Sequence, residues 1–412
     1  MIPRKLHKFL TARPKNASLE EGDLMPEEIL MNIHKYNAAQ TIINEDIFGP
    51  VQNDTVIIFI QVHTRIVYLR HLIVSLAQAK GIESTFIVFS HDFYDAEMNE
   101  LVQSIDFARV MQIFYPYSIQ THPDTFPGKS KGDCPRDIDY KQAQILKCTS
   151  ADHPDLYGHY REPEFAQIKH HWWWKANRVF NELRITRNHT GLVLFLEEDH
   201  YVAEDFLHVL LQMEIACSTT CPQCNILSLG TYLETYNEYG ENKNAEVTPW
   251  FGSKHNMGMA FNRSVWVQLH KCSEHFCSYD DYNWDWSLQQ VSEQCLESKL
   301  MALEMKGPRV FHIGECGVHH KKANCESTIV IFEVQKALAN AKTYLYPNQL
   351  NLTFTIIDKK NKLRKGNGGW GDIRDHQLSN PFIVYPTNPP AVESNNESPQ
   401  RVWRSRQSGI CE

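Results

Sequence analysis

Leu192-Val193-Leu194-Phe195-Leu196-Glu197-Glu198-Asp199-His200 is the stretch whose reading decides the fold. Gly191 to Leu196 is short, apolar and suited to a strand buried on both faces of a parallel sheet. Three acids then follow without a break. An unpaired carboxylate inside an apolar core costs several kcal/mol or changes its protonation state. The acids therefore stand at the mouth of the strand, where open α/β sheets bind their ligands. An ordinary strand-to-helix cap would give the same pattern. The chemical alternative is a metal site: Asp199 is a hard oxygen ligand and His200 a borderline nitrogen one, a set compatible with Mn²⁺ or Mg²⁺.

Working outward, Thr55 to Ile60 is a second β-branched apolar run and opens the core. From Arg65 to Lys80, Val67, Leu69, Leu72, Ile73, Leu76 and Ala77 recur at helical spacing, and Gly81 supplies a stop. Thr85 to Phe89 is the next strand, and Asp92 beyond it suits a helix cap. This alternation predicts an α/β fold, a doubly wound and mostly parallel sheet flanked by helices. Further helices are expected over Ala166 to Leu183, Ala203 to Glu214 and Asn283 to Met305. Short strands are expected over Ile226 to Leu229, Met257 to Phe261 and Val310 to Ile313. Trp172, Trp173 and Trp174 are consecutive, so they spread round the helix and one must pack outward. Phe114 to Asp139 and Lys359 to Gly371 read as loops, and the signal weakens beyond Cys325.

The first strand leads into Gln61-Val62-His63-Thr64-Arg65, with no glycine fingerprint and no Walker A loop. A dinucleotide site needs glycine there to bring the backbone against the pyrophosphate. A nucleotide bound at this edge would need its phosphates neutralised otherwise, and a metal held by side chains is the natural means. Downstream lies Asp280-Asp281-Tyr282-Asn283-Trp284-Asp285-Trp286. Asp281 and Asp285 are four apart and would share a helical face, and an acid flanked by Trp gives a general base beside a stacking platform for a sugar. A capped helix with core tryptophans is the plainer account. His312 sits in a short strand, where a lone histidine is usually structural, but one of His312, His319 and His320, which precede or flank a cysteine loop, could complete a metal site.

Composition narrows the classes. Of 412 residues 42% are hydrophobic and 22% charged, which fits a soluble globular α/β chain. A charge of −8, with no Lys/Arg stripe, gives no basis for nucleic-acid binding. No run approaches the roughly 20 apolar residues of a membrane span. The basic start, Met1 to Phe9, lacks the apolar segment of a signal peptide, so a shortened beginning is expected. Eleven cysteines nevertheless point to an oxidising compartment. Short-range pairing suggests Cys134 with Cys148, Cys221 with Cys224, Cys272 or Cys277 with Cys295, and Cys316 with Cys325, and a fully oxidised framework of the eleven would leave one thiol over. Zinc on Cys217, Cys221 and Cys224 competes, without a second CxxC at ribbon spacing. Six Asn-x-Ser/Thr triplets, at Asn16, Asn53, Asn188, Asn262, Asn351 and Asn396, agree with a secretory location.

Three uncommon segments in order carry a resemblance: Glu197-Glu198-Asp199-His200-Tyr201, Tyr279 to Trp286, and Trp370-Gly371-Asp372-Ile373-Arg374-Asp375-His376. Together they resemble the N-acetylglucosaminyltransferase II family, from about residue 28 to residue 377. The resemblance implies a GT-A glycosyltransferase fold, UDP-GlcNAc as donor, Mn²⁺ as cofactor, an N-glycan acceptor on glycoproteins, and a Golgi lumen location behind a type II membrane anchor. It implies an arm over residues 1–50, a catalytic domain over 51–377 and a tail over 378–412. By the same resemblance Asp199 and His312 would hold the metal, and Asp285 would be the catalytic base with Trp284 beside the acceptor. Gln61, Val62, His63, Thr64, Arg65, Asp92, Gln167, Ile168, Lys169, His170 and His171 would hold the UDP part. It pairs Cys272 with Cys295 and Cys277 with Cys411, and leaves Cys217 free. The expected reaction is inverting transfer of GlcNAc to the 2-hydroxyl of the α-1,6-linked mannose. Two alternatives stand beside it: a related transferase for the α-1,3 arm, and a non-catalytic sugar-binding protein of the same fold.

Overall fold

Alternate residues of a strand face opposite sides of its sheet, and in Ile57–Val62 (β1) both sides are buried. The computed structural model describes residues 2–11, 24–230, 242–314, 327–355 and 365–379. After β1 come α1 (Ile66–Gln78), β2 (Phe86–His91), α2 (Ala96–Gln103), β3 (Arg109–Phe114) and α3 (Pro163–Asn177). Next are β4 (Val193–Glu197), β5 (His200–Val202), α4 (Phe206–Thr219), β6 (Ile226–Ser228), β7 (Asn244–Pro249) and β8 (Met259–Phe261). The order closes with α5 (Arg263–Lys271), α6 (Trp284–Gln294), β9 (Met301–Met305), β10 (Val310–His312), α7 (Ser327–Ala341), β11 (Asn351–Phe354) and α8 (Ile373–Ser379).

The central sheet runs β11-β7-β9-β6-β8-β4-β1-β2-β3. Its β4-β1-β2-β3 half is wholly parallel, while β8 runs antiparallel to both β4 and β6. One face of β1, through Ile58, Ile60 and Val62, packs with Leu69, Leu72 and Leu76 of α1 and Phe206 and Leu210 of α4. Leu6 and Phe9 from the start of the chain join that cluster. The other face, through Ile57 and Phe59, packs with Trp172 and Trp173 of α3, Trp266 of α5 and Leu288 of α6. The doubly covered, largely parallel sheet expected from the sequence is present. Trp174 is the outward member of the triplet, half-buried and edge-on to Tyr115 at 5.6 Å.

Three local expectations change. The helix foreseen over Asn283 to Met305 stops at Gln294, and Met301–Met305 is strand β9, paired with β6 and β7. Met, Ala, Leu and Glu favour helix locally, but a place between two strands outweighs that weak preference. Asp92 is not a helix cap: Asp95 accepts from Met98 N at 2.8 Å, and Asp92 turns inward. Nor is the end of the chain as featureless as its sequence, since α7 and α8 lie beyond Cys325.

The disulfides Cys134–Cys148, Cys221–Cys224 and Cys272–Cys295 are formed. The open choice for Cys295 thus falls on Cys272, and bonding of Cys221 to Cys224 removes the zinc alternative. Among the described residues Cys217 and Cys277 are thiols. Cys277 donates to the carbonyl oxygen of Ser379 at 3.2 Å. Its expected partner Cys411, and Cys316 and Cys325, lie outside the described residues, as do His319, His320 and most of the tail. No helix among the described residues is long and apolar enough to cross a membrane.

Candidate active site

β4 delivers its acids to the carboxyl edge, as an apolar strand with a charged end must. Glu198 and Asp199 are both buried, and they have different partners. Glu198 accepts from the backbone N–H of His63 at 2.8 Å and from Arg65 Nε at 2.7 Å. It braces the loop after β1. Asp199 Oδ2 receives Arg65 Nη1 at 2.8 Å and His312 Nε2 at 3.0 Å. Asp199 Oδ1 is buried with no hydrogen-bond partner among the described residues. Burial opposes ionisation of Asp199, but the hydrogen bond and charge of His312, with Arg65, outweigh it and hold the carboxyl well below its usual range. The small antiparallel pair β5–β10 sets His312 opposite His200.

Glu197, Asp199 and His200 bring ligand atoms within 4.8 Å of one another. His200 Nδ1, however, accepts from Glu197 N at 3.1 Å, so that nitrogen is occupied. Burial presses His200 down to about 3 and keeps it neutral. Glu197 is raised by burial and by Asp199, against the pull of Lys175.

A cavity of about 1040 Å³ opens from this edge. Of the residues expected around a nucleotide, Gln61, His63, Thr64, Arg65, Asp92, Gln167 and Ile168 line it. Val62, Lys169, His170 and His171 lie behind the wall, fully or almost fully buried. Val62 is core. Lys169 Nζ donates to the carbonyl oxygens of Tyr279 and Asp281, each at 3.0 Å. His170 lies between Asp375 and Ser379, each at 2.8 Å. His171 meets Ser90 at 2.8 Å and Asp92 at 3.3 Å. Asp92 also holds His63 Nδ1 at 2.6 Å. Burial depresses His63, but the Asp92 charge and hydrogen bond more than reverse it.

The opposite wall is the Tyr282 to Trp286 segment. Asp285 lies in the first turn of α6, where Trp286 N donates to its Oδ1 at 3.0 Å and Asn256 Nδ2 to its Oδ2 at 3.1 Å. Burial, with smaller pushes from Asp281 and Glu197, raises its carboxyl to about 7. Gly252 lies so close that a Cβ there would meet the Asp285 carbonyl oxygen at 2.5 Å. Asp281 precedes the helix and does not share its face. It is fully buried, accepting from Asn283 N and from the backbone and side chain of Asn367 at 2.8–2.9 Å. Trp284 touches the cavity but stacks on Trp172, with centroids 4.4 Å apart and planes 4° from parallel. Trp286 is the more exposed indole.

The Trp370 to His376 segment supports this wall. Trp370 N donates to Asp280 Oδ1 at 2.9 Å, and Asp375 ion-pairs with Arg161 at 2.7 Å and hydrogen-bonds His170 at 2.8 Å. The family model for N-acetylglucosaminyltransferase II (MGAT2) matches residues 31–379, an interval holding both walls and their supports. The chain belongs to this family. Like other N-acetylglucosaminyltransferase II members, it is a glycosyltransferase. The alpha-1,6-mannosyl-glycoprotein 2-beta-N-acetylglucosaminyltransferase of Rattus norvegicus is 44% identical, over 84% of this chain and 78% of the relative. Its Homo sapiens counterpart is 43% identical, over 84% and 77%.

The residues present fit the metal that the family implies. A buried carboxylate oxygen without a partner is costly unless something positive meets it, and Asp199 Oδ1 is such an atom. Gly314 leaves room beside the same carboxylate at its other oxygen: a Cβ there would stand 2.2 Å from Asp199 Oδ2. Sequence reasoning missed Asn256, Asn367, Arg161 and Lys175. Asn256, Asn367 and Arg161 lie in no acid-tipped strand or Trp-rich motif, Lys175 only follows the Trp172 to Trp174 triplet, and their roles arise from contacts with distant parts of the chain.

Proposed function

We propose that the chain transfers GlcNAc from UDP-GlcNAc to the 2-hydroxyl of the α-1,6-linked mannose of an N-glycan, with inversion and a β-1,2 linkage, in the Golgi lumen. One observation carries this: a buried carboxylate of raised pKa, Asp285, faces the same cavity as the Asp199–His312 edge. The donor would lie along Gln61 to Arg65, Asp92 and Gln167, with its diphosphate toward Asp199. Asp199 and His312 would hold Mn²⁺, which when bound supplies positive charge for the departing diphosphate. Asp285 accepts the proton of the mannose 2-hydroxyl as that oxygen bonds to the anomeric carbon and the bond to UDP breaks on the opposite face. Asn256 and the Trp286 N–H fix the orientation of the Asp285 carboxylate, and Trp286 offers the acceptor a flat apolar surface. General-base assistance of this kind is worth about 10²–10⁴ in rate.

The acceptor arm is read from the relatives' names. Two synthetic N-glycans test it, alike except for GlcNAc on the α-1,3 arm. UDP release above a no-acceptor control, with the new sugar on the α-1,6 mannose, is expected for the glycan already carrying that GlcNAc. Transfer to the α-1,3 mannose would move the chain to the related specificity. No release with either glycan would favour a non-catalytic sugar-binding role.

A further inference from the structure

Arg65 stands between the two buried acids after β4. Glu198 fixes it, through Nε at 2.7 Å and through the backbone N–H of Arg65 at 3.3–3.4 Å. From that anchor Nη1 reaches Asp199 Oδ2 at 2.8 Å, an oxygen that His312 Nε2 also approaches at 3.0 Å. Donors thus crowd one oxygen of Asp199 while the other is buried with no partner among the described residues. A guanidinium keeps its charge throughout the physiological range and holds its donors in a rigid fork.

We propose that Arg65 is a positioning residue and built-in counter-charge: it turns Asp199 Oδ1 toward the cavity and, by its own positive charge, weakens the site for a bare divalent cation. The cation then binds well only together with the diphosphate, whose negative charge offsets Arg65. Glu198 is in this view the anchor of Arg65 and not a ligand. A neighbouring positive charge repels a divalent ion even in a well-screened site, and reciprocity requires that UDP tighten the metal as much as the metal tightens UDP. The inference rests on the metal reading of Asp199 and His312.

The test is Mn²⁺ binding to the full chain, followed by the paramagnetic resonance signal of unbound Mn²⁺, with and without UDP. In the wild type UDP should tighten Mn²⁺ strongly. In Arg65→Gln the bare ion should bind at least about tenfold tighter, and the enhancement by UDP should shrink. Arg65→Met repeats the measurement with a different neutral side chain, and circular dichroism checks the fold of each. Arg65→Lys keeps the charge, so its bare-ion affinity should stay near that of the wild type. Folded Gln and Met variants that bind bare Mn²⁺ no more tightly, or a Lys variant that behaves like them, would overturn the inference while leaving the metal reading intact. A wild type that binds no Mn²⁺ even with UDP would overturn both.

Discussion

Replacing Asp285 by Asn removes one charge from the cavity wall and leaves its shape nearly unchanged. The Asn carbonyl can accept from Trp286 N as the carboxylate does. The new NH₂ faces Asn256, whose Oδ1 is buried without a partner among the described residues and whose amide can turn to accept. Burial lifts the wild-type carboxyl from 3.8 to about 7, and each pH unit of that rise is worth about 1.4 kcal/mol. A carboxyl raised by folding costs stability progressively as pH climbs from its unfolded value of about 4 to about 7. Above that window the wild type, with no metal added, carries a penalty of about 4 kcal/mol that the Asn variant lacks. With an unfolding entropy of roughly 2.1 cal/mol/K per residue over 412 residues, the variant should melt about 5 °C higher at pH 8. At pH 4 the two should melt together. Turnover at saturating donor should fall by at least about 10², while UDP affinity with Mn²⁺ stays within a few-fold. Wild-type kcat/KM should drop on the acidic side as Asp285 protonates, approaching tenfold per pH unit. Differential scanning calorimetry at both pH values, beside the transfer assay, decides. An Asn variant that keeps more than a tenth of wild-type turnover, with Asp281→Asn inert, would move the base to Asp281. Equal melting at pH 8 would refute the buried charge.

Other expectations follow from the same geometry. Asp199→Asn and His312→Ala should each reduce Mn²⁺-dependent UDP binding together with turnover, and calorimetry showing unchanged metal dependence would remove them from the ligand set. Gly314→Ala forces a methyl against Asp199 Oδ2, so metal-dependent UDP affinity should fall more than tenfold with little change in melting temperature. Asp375→Ala leaves Arg161 and His170 facing a buried gap. Loss of one partner from a buried ion pair costs about 3–5 kcal/mol, which denaturant unfolding should register.

The strands were legible where chemistry was local. β1 announces itself through an apolar, largely β-branched run and β4 through an apolar one, and the acids after Leu196 mark the edge that faces the cavity. Cysteine spacing alone indicated two of the three disulfides in place. β9 was hidden because Met301 to Met305 favour helix until two neighbouring strands claim them. The division of labour among Glu197, Glu198 and Asp199 was equally out of reach, since it depends on Arg65, more than a hundred positions earlier. Asp281 looked like a helical neighbour of Asp285, yet its partners are Asn283 and Asn367. Val62 and Lys169 to His171 fell within segments resembling the nucleotide site, and burial assigns them to support behind the wall.

The ties from Asp280 and Asp281 to Asn367 and Trp370 set an order of assembly during synthesis. The edge around Asp199 is complete once His312 has emerged from the ribosome. The loop leading to Asp285 waits a further fifty-five residues or so for its clamp, because the groups that fix it are the backbone N–H groups of Asn367 and Trp370. A nascent chain stopped short of Asn367 would have its donor half built and its acceptor half untied. Premature stop codons between His312 and Asn367 should therefore yield chains able to hold a nucleotide but not to use it, and quality control would have to recognise them by the loose loop rather than by a missing core.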